Sequence, residues 1–328
     1  MKHTIKTFFT LALALALFGM TACKGPSDNN SDGTDEGVRS WTAELTLSSD
    51  KLGIKVTVTT DDGTPVTVEG CTETELKSGI ETDLNANGTT VKLTGKITEL
   101  SCGSNKLTGL NVQGGKTALK NLRCDDNKLA ALDMHGCTAL TGLSCDKNGL
   151  TSLNVQGCTA LTNLSCQNNK LSSLEVHGCT ALGSLRCDEN KLTSLNVQGC
   201  TALSWLGCAG SKLETLNVEG CTALSMLSCA KNKLTSLNVQ GCTSLGFLDC
   251  YGNKLDAAAF TKILNALPVH AGGQCTLYTE QTGVTEGNCK DFTSATTPAN
   301  LKAAFTKAKT EKKWTMKKYN GSGDSVEI

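Results

Sequence analysis

Apolar residues recur in a fixed rhythm between Ile97 and Leu255. Leu161 to Ala181 reads LTNLSCQNNKLSSLEVHGCTA, between LTGLSCDKNGLTSLNVQGCTA before it and LGSLRCDENKLTSLNVQGCTA after it. Units of 21 residues begin at Ile97, Leu119, Leu140, Leu161, Leu182, Leu203, Leu224 and Leu245; seven are complete and the eighth stops after Leu255. The first is one residue longer, because Gly115-Lys116 stands where the others carry a single Cys. Each unit has two similar halves, Leu161-x-x-Leu164-x-Cys166-x-x-Asn169 and Leu171-x-x-Leu174-x-Val176-x-x-Cys179. The L-x-C and L-x-V triplets alternate apolar and polar, as a half-buried strand does. Neither half holds the ten or so residues at helical spacing that a helix needs. The pattern predicts a mainly β solenoid of 21-residue coils, with a parallel sheet on its concave side and little or no convex helix. One coil cannot bury its own leucines; stacking coils about 4.8 Å apart makes a continuous core.

The flanks have different grammars. Residues 1–22 carry Lys2, His3 and Lys6 before the apolar run FFTLALALALF. That run is too short for a stable span and reads as a signal peptide. Residues 23–40, with KGPSDNNSDGTDEGVR, are polar and acidic and predict a flexible tether. Residues 41–96 alternate through ELTL, GIKVTVTT and PVTVEG, predicting a β-rich cap with Trp41 as its plug. The Val91-Lys92-Leu93 triplet reads as a half-coil leading into Ile97, and the VEGCT of Val68 to Thr72 as a chance match to Val218 to Thr222. The array occupies 97–255. Residues 256–328 predict an α/β cap: Asp256 capping a helix from Ala257 to Leu267, a strand near Cys275 to Tyr278, a helix from Ala299 to Lys309, and a strand from Trp314 to Tyr319. Seven lysines between Lys302 and Lys318 read as a solvated face.

Eighteen cysteines invite a disulfide framework, but their phase argues against it. Cys102, Cys124, Cys145, Cys166, Cys187, Cys208, Cys229 and Cys250 form one column, and Cys137, Cys158, Cys179, Cys200, Cys221 and Cys242 a second. Neighbours in a parallel ladder keep their Cβ atoms about 4.8 Å apart, beyond the span of a disulfide. These fourteen are expected to be reduced core residues, and Cys275 with Cys289 is the one plausible bridge. An Asn column from Asn105 to Asn253, broken only by Ser211, is expected to satisfy the backbone where each coil turns. Convergent C-x-x-C pairs are absent, and His135 and His177 lie two coils apart, so no metal or other cofactor is expected. The zero net charge gives no footprint for nucleic acid. No H-E-x-x-H, G-x-S-x-G or phosphate-cradling loop appears, so the chain is not expected to be an enzyme.

The LxxLxCxxNxLTxLxV spacing resembles the leucine-rich repeat family, with Cys in place of the last strand leucine. It is most similar to the cysteine-ladder branch of the bacterial internalins, the internalin J type, and to bacterial surface lipoproteins with the same repeat. The segment Met20-Thr21-Ala22-Cys23 resembles a lipoprotein signal, in which Cys23 would be lipidated and become the mature N-terminus. The resemblance implies a curved, surface-displayed binding scaffold anchored by lipid in the cell envelope, at the outer membrane or cell surface; the chain is expected to be a monomer. It supplies no ligand.

The repeat phase also says which side chains face out of the concave sheet. The position before the strand leucine runs Glu99, Asn121, Gly142, Asn163, Ser184, Trp205, Met226, Phe247, and the position after the ladder cysteine ends at Tyr251. Trp205, Phe247 and Tyr251 are the aromatics of the array, and only 4% of the chain is aromatic. Together with Met226 they predict a binding platform with Arg186, Asp188 and Asp249 as its polar rim. The early coils around Ser144 and Ser165 read as smooth. A protein ligand is the first expectation and a glycan on the Trp205, Phe247 and Tyr251 rings the alternative. The competing reading has the C-terminal cap folding over Phe247 and Tyr251.

Overall fold

The computed structural model describes residues 39–280, 285–321 and 324–328. The signal segment, Cys23 and all but the last two residues of the tether lie outside them. The repeat builds a leucine-rich repeat solenoid. The first triplet of every coil, from Asn121–Arg123 to Phe247–Asp249, pairs in parallel with its neighbours at the same repeat position. With strands from both caps these form one sheet of 13 strands. The ladder cysteines and nearly all the strand leucines are buried, so the core is a strip threading every coil.

Each turn is locked by the Asn column. The side-chain amide of Asn148 donates to the carbonyls of Cys124 and Cys145, and its oxygen accepts the Leu129 amide at 3.0 Å. Asn169, Asn190, Asn232 and Asn253 repeat this arrangement. The residue before each Asn adopts a left-handed backbone: Ser104, Asp126, Lys147, Asn168, Glu189 and Lys231 have φ between 49° and 57°. Glycine, free of the Cβ clash, takes this position at Gly210 and Gly252. At Ser211 the column fails, and among the described residues the hydroxyl accepts only the Asn190 amide, at 3.3 Å.

The second triplets form a weaker face. Ala131–Asp133 pairs with Ser152–Asn154, and Ser194–Asn196 with Thr215–Asn217. Between these pairs, at Ser173 to Glu175, no strand forms. Asn154 and Asn196 each accept the amide two residues on, and Glu175 replaces the asparagine that would do so in this coil.

The N-terminal cap contains β1 (Trp41–Thr46), β2 (Gly53–Thr60), β3 (Val66–Glu69), β4 (Glu75–Leu76), β5 (Thr82–Asn85) and β6 (Thr90–Gly95). It is interleaved with the first coil rather than laid over it. β2 pairs antiparallel with Ile97–Ser101, while β1 pairs antiparallel with Gly109–Asn111. The reading of Val91-Lys92-Leu93 as a half-coil is corrected: these residues lie in β6, which runs antiparallel between β1 and β3. Trp41 does plug the cap. Its indole Nε1 donates to the Ile97 carbonyl at 3.0 Å, and the ring occupies space that a Cβ on Gly115 would enter. Gly115 stands where later coils carry a second-column cysteine, so the odd first unit is the seat of this ring.

At the other end, Asp256 caps α1 (Ala257–Ala266) by accepting the Ala259 amide at 2.8 Å. The strand Gly273–Thr279 continues the long sheet beside Phe247–Asp249. Its Cys275 takes the register of the strand leucine. Asn288 then completes an imitation coil, accepting the Leu255 amide and donating to the Cys250 carbonyl. A disulfide between Cys275 and Cys289 is not formed: both thiols are free, Cys275 in the core and Cys289 donating to the Asp291 carbonyl. The lysine-rich tail includes α2 (Ala299–Thr310) and the strand Trp314–Tyr319. It is not one solvated face. Lys312 is buried, its ammonium donating to the carbonyls of Leu264, Asn265 and Leu267 at the C-terminal end of α1.

Candidate binding surface on the long sheet

Register fixes the outward rows of the long sheet. Trp205 pairs with Met226, and Met226 with Phe247, so three large apolar side chains stand on successive strands. Trp205 and Met226 are 36% and 43% exposed, unlike the buried leucines beside them. Phe247 is half-buried. It lies beside the cap: Gln274 is its register partner, and the His270 imidazole packs over the neighbouring Gly246.

Tyr251 does not widen this row. Its ring stacks on Tyr319 of the cap, centroids 4.6 Å apart and planes 10° from parallel, and burial pushes its hydroxyl up to about 12. The cap thus takes up Tyr251, reaches the edge of Phe247, and leaves Trp205 and Met226 open.

One of the rim residues meets Trp205, and a second stands close by against Gly207. The Arg186 guanidinium lies over the indole, 4.9 Å from its centroid. Asp188 accepts the Ala209 amide at 2.9 Å and covers Gly207, where a Cβ would stand 2.7 Å from its carboxylate. Burial raises the Asp188 carboxyl above its ordinary range, with the Ala209 amide and Arg186 opposing. The small residues at Gly207 and Ala209 therefore make room for the Asp188 carboxylate, which feels the Arg186 charge without contacting it. Asp249 stands apart, in register with Ser228 and Thr276. It is half-buried and its carboxyl is raised by burial; its Oδ1 has no partner among the described residues.

The early coils are not smooth. A groove of about 600 Å³ crosses them from Glu99 to Arg186, floored by Gly142, Ser144, Ser165 and Ser184. Arg123, Ser144, Ser165 and Arg186 are consecutive register partners, so a guanidinium stands at each end. Sequence reasoning passed over this groove because its depth comes from missing side chains. The clue was the pair of serines, Ser144 and Ser165, between two arginines at one repeat position, with Gly142 beside them.

The thiol columns face the core; in the first, Cys145 and Cys250 donate forward to the carbonyls of Ser165 and Thr276 at 3.5 Å. Cys158, Cys179, Cys221 and Cys242 donate to the carbonyls of Met134, Val155, Val197 and Val218, one coil back, at 3.1 to 3.7 Å. Every column thiol is raised, by burial in all but Cys250, where the hydrogen bond with Cys275 comes first; Cys102 and Cys158 reach about 12, so none is a ready nucleophile. His135 and His177 are exposed on the second face.

The chain matches no protein-family model and no curated relative. Among solved structures it is similar to the functional domain of InlJ from Listeria monocytogenes, which includes a cysteine ladder. That match has 29% identity, a TM-score of 0.49, and covers 57% of this chain and 40% of that one. It is also similar to YopM, a leucine-rich effector protein from Yersinia pestis, with 19% identity, a TM-score of 0.42 and 57% of each chain covered. The LRIM1/APL1C complex matches with 18% identity and a TM-score of 0.38, over 57% of this chain and 39% of that one. In each case the chain spans less than two thirds of the solved structure's length.

Proposed function

We propose that this chain is a non-enzymatic, lipid-anchored surface scaffold that binds another protein through the outer face of its long sheet. The observation that carries the reading is the exposed row of Trp205 and Met226 in register with Phe247. Interfaces concentrate their energy in such aromatic and arginine clusters, ringed by residues that exclude water. Arg186 seated on the indole makes the row a preformed anchor rather than two loose side chains. The same contact counts against a glycan platform, since one indole face is occupied and Tyr251 is stacked inside the cap.

Capture of a partner by the full chain, followed by quantitative binding, tests the reading. Trp205→Ala is expected to weaken binding about thirtyfold or more. The thermal midpoint should barely move, since Trp205 is not part of the core. A large fall in stability with unchanged binding would remove the row from the function. The anchor is tested separately: Cys23→Ser should release the protein from the membrane fraction and block lipid labelling.

A further inference from the structure

The groove on the early coils differs from the apolar row in what it leaves unsatisfied. Its carboxylates are occupied from within. Glu99 accepts the Asn121 amide at 3.0 Å and the Thr59 hydroxyl at 3.2 Å. Asp146 accepts the Ser165 hydroxyl at 2.7 Å and the Gln167 amide at 2.9 Å. The guanidiniums are not matched in the same way. Arg123 has one exposed contact, its Nε 3.8 Å from Asp125, in a geometry worth little in water. Among the described residues no carboxylate lies within 4 Å of the Arg186 guanidinium, and its Nε is buried without a hydrogen-bond partner. The groove therefore offers guanidinium donors at both ends, while the Ser144 and Ser165 hydroxyls between them are turned to Asp146.

Spacing limits what could use those donors. Arg123 and Arg186 are three strand steps apart, about 14 Å at about 4.8 Å per step. An extended peptide laid across the strands covers that distance in about four residues. One strand beyond Arg186 the apolar row begins, so the same peptide would next place an apolar side chain on Trp205 and Met226. A polyanionic sugar could supply the charges but would have nothing apolar to set against Met226.

We infer that the groove binds an extended acidic peptide segment of a protein partner: two carboxylates about four residues apart, one on Arg123 and one on Arg186, followed by an apolar side chain on the Trp205 row. This rests on the protein-binding reading above and names the chemistry of the partner. The bond types are charge-assisted and can be bidentate, which makes arginine hard to replace by lysine.

The test uses the full chain and immobilised synthetic peptides of sequence Gly-Glu-Ser-Ser-Ser-Glu-Ser-Leu-Phe-Gly. In a companion series the two glutamates are moved from two to six residues apart, and in another they are replaced by glutamine. An oligogalacturonate is tested alongside. Binding should peak at a separation of four, fall at least tenfold in the glutamine series, and weaken with added salt. Arg123→Gln and Arg186→Gln should each lower it at least tenfold. Arg123 is mostly exposed, so its variant tests the groove without disturbing the fold. Equal binding at every separation, indifference to both arginine changes, or uptake of the oligogalacturonate with no peptide bound would each overturn the inference. The broader reading fails separately: a captured native partner lost with Trp205→Ala but kept with both arginine variants overturns the acidic segment alone, while retention by all three variants overturns both.

Discussion

The indole of Trp41 lies where a Cβ on Gly115 would fall 2.4 Å from its Cζ2 atom. Cap and array therefore share one packing site, and Gly115 is fixed by the neighbouring ring rather than by its own backbone. Gly115→Ala should force the indole off the Ile97 carbonyl and destabilise the protein by about 1–3 kcal/mol, the usual cost of overpacking. Urea unfolding followed by tryptophan fluorescence reads both effects. Unchanged stability and an unchanged emission maximum would show that the ring can move aside freely.

The joint at Ser211 is the weak point of the asparagine ladder. Every neighbouring coil sends an amide back to two carbonyls, whereas Ser211 offers a single long contact. Ser211→Asn should restore the missing set and raise stability by about 1–2 kcal/mol, at roughly 1 kcal/mol for each net hydrogen bond. A rise in the thermal midpoint, with peptide binding at the groove unchanged, is the expected result. A fall would mean that the coil of Gly210 holds its turn differently from its sisters.

Two buried thiols, Cys166 and Cys158, should respond differently to the same substitution. Cys166 donates to nothing among the described residues, so Cys166→Ser buries a hydroxyl without an acceptor and should cost about 1–3 kcal/mol. Cys158 already donates to the Met134 carbonyl at 3.1 Å. Cys158→Ser keeps that bond and should cost less than about 1 kcal/mol. Equal losses would mean that packing of sulfur, not hydrogen bonding, decides both sites.

Alkaline pH should unfold the array abruptly. The fold raises the thiols of both columns, with Cys179 and Cys221 at about 11 and Cys102 and Cys158 at about 12. An unfolded chain releases thiol protons near pH 8.5, while the folded chain keeps them. The thiol contribution is thus fully present below that pH and is lost as pH climbs toward the folded values. The limiting slope is about 1.4 kcal/mol per pH unit for each thiol whose proton the fold retains, so several together make the loss steep. Urea midpoints measured from pH 7 to 11 with reductant present should collapse within about one unit above pH 9. A flat profile to pH 10.5 would contradict the burial of the columns.

The parts of the fold written in the sequence are those that each coil repeats. Leu164, Cys166 and Asn169 meet the same surroundings as their counterparts one period away, so phase alone assigns them. The caps lack that redundancy. The two residues of β4 and the strand Ser325–Glu327 acquire register only from partners distant in the chain. Asn288 escaped notice because it follows the strand residue Cys275 by thirteen positions, where the array interval is five, as from Leu248 to Asn253. At the candidate surface, phase placed Trp205, Met226 and Phe247 in one row but could not see Tyr319 arriving to stack on Tyr251.

The asparagine ladder has a direction. Asn148 satisfies Leu129 and Cys124 of the coil before it, and Asn288 does the same for Leu255 and Cys250. Each Asn also donates within its own coil, so a turn is half made locally and completed only by the coil that follows. Any coil left without a successor would keep its leucine amide and ladder carbonyl unsatisfied, and Asn288 meets that need for the last one. The cap therefore ends the array by imitating one more coil rather than by covering it.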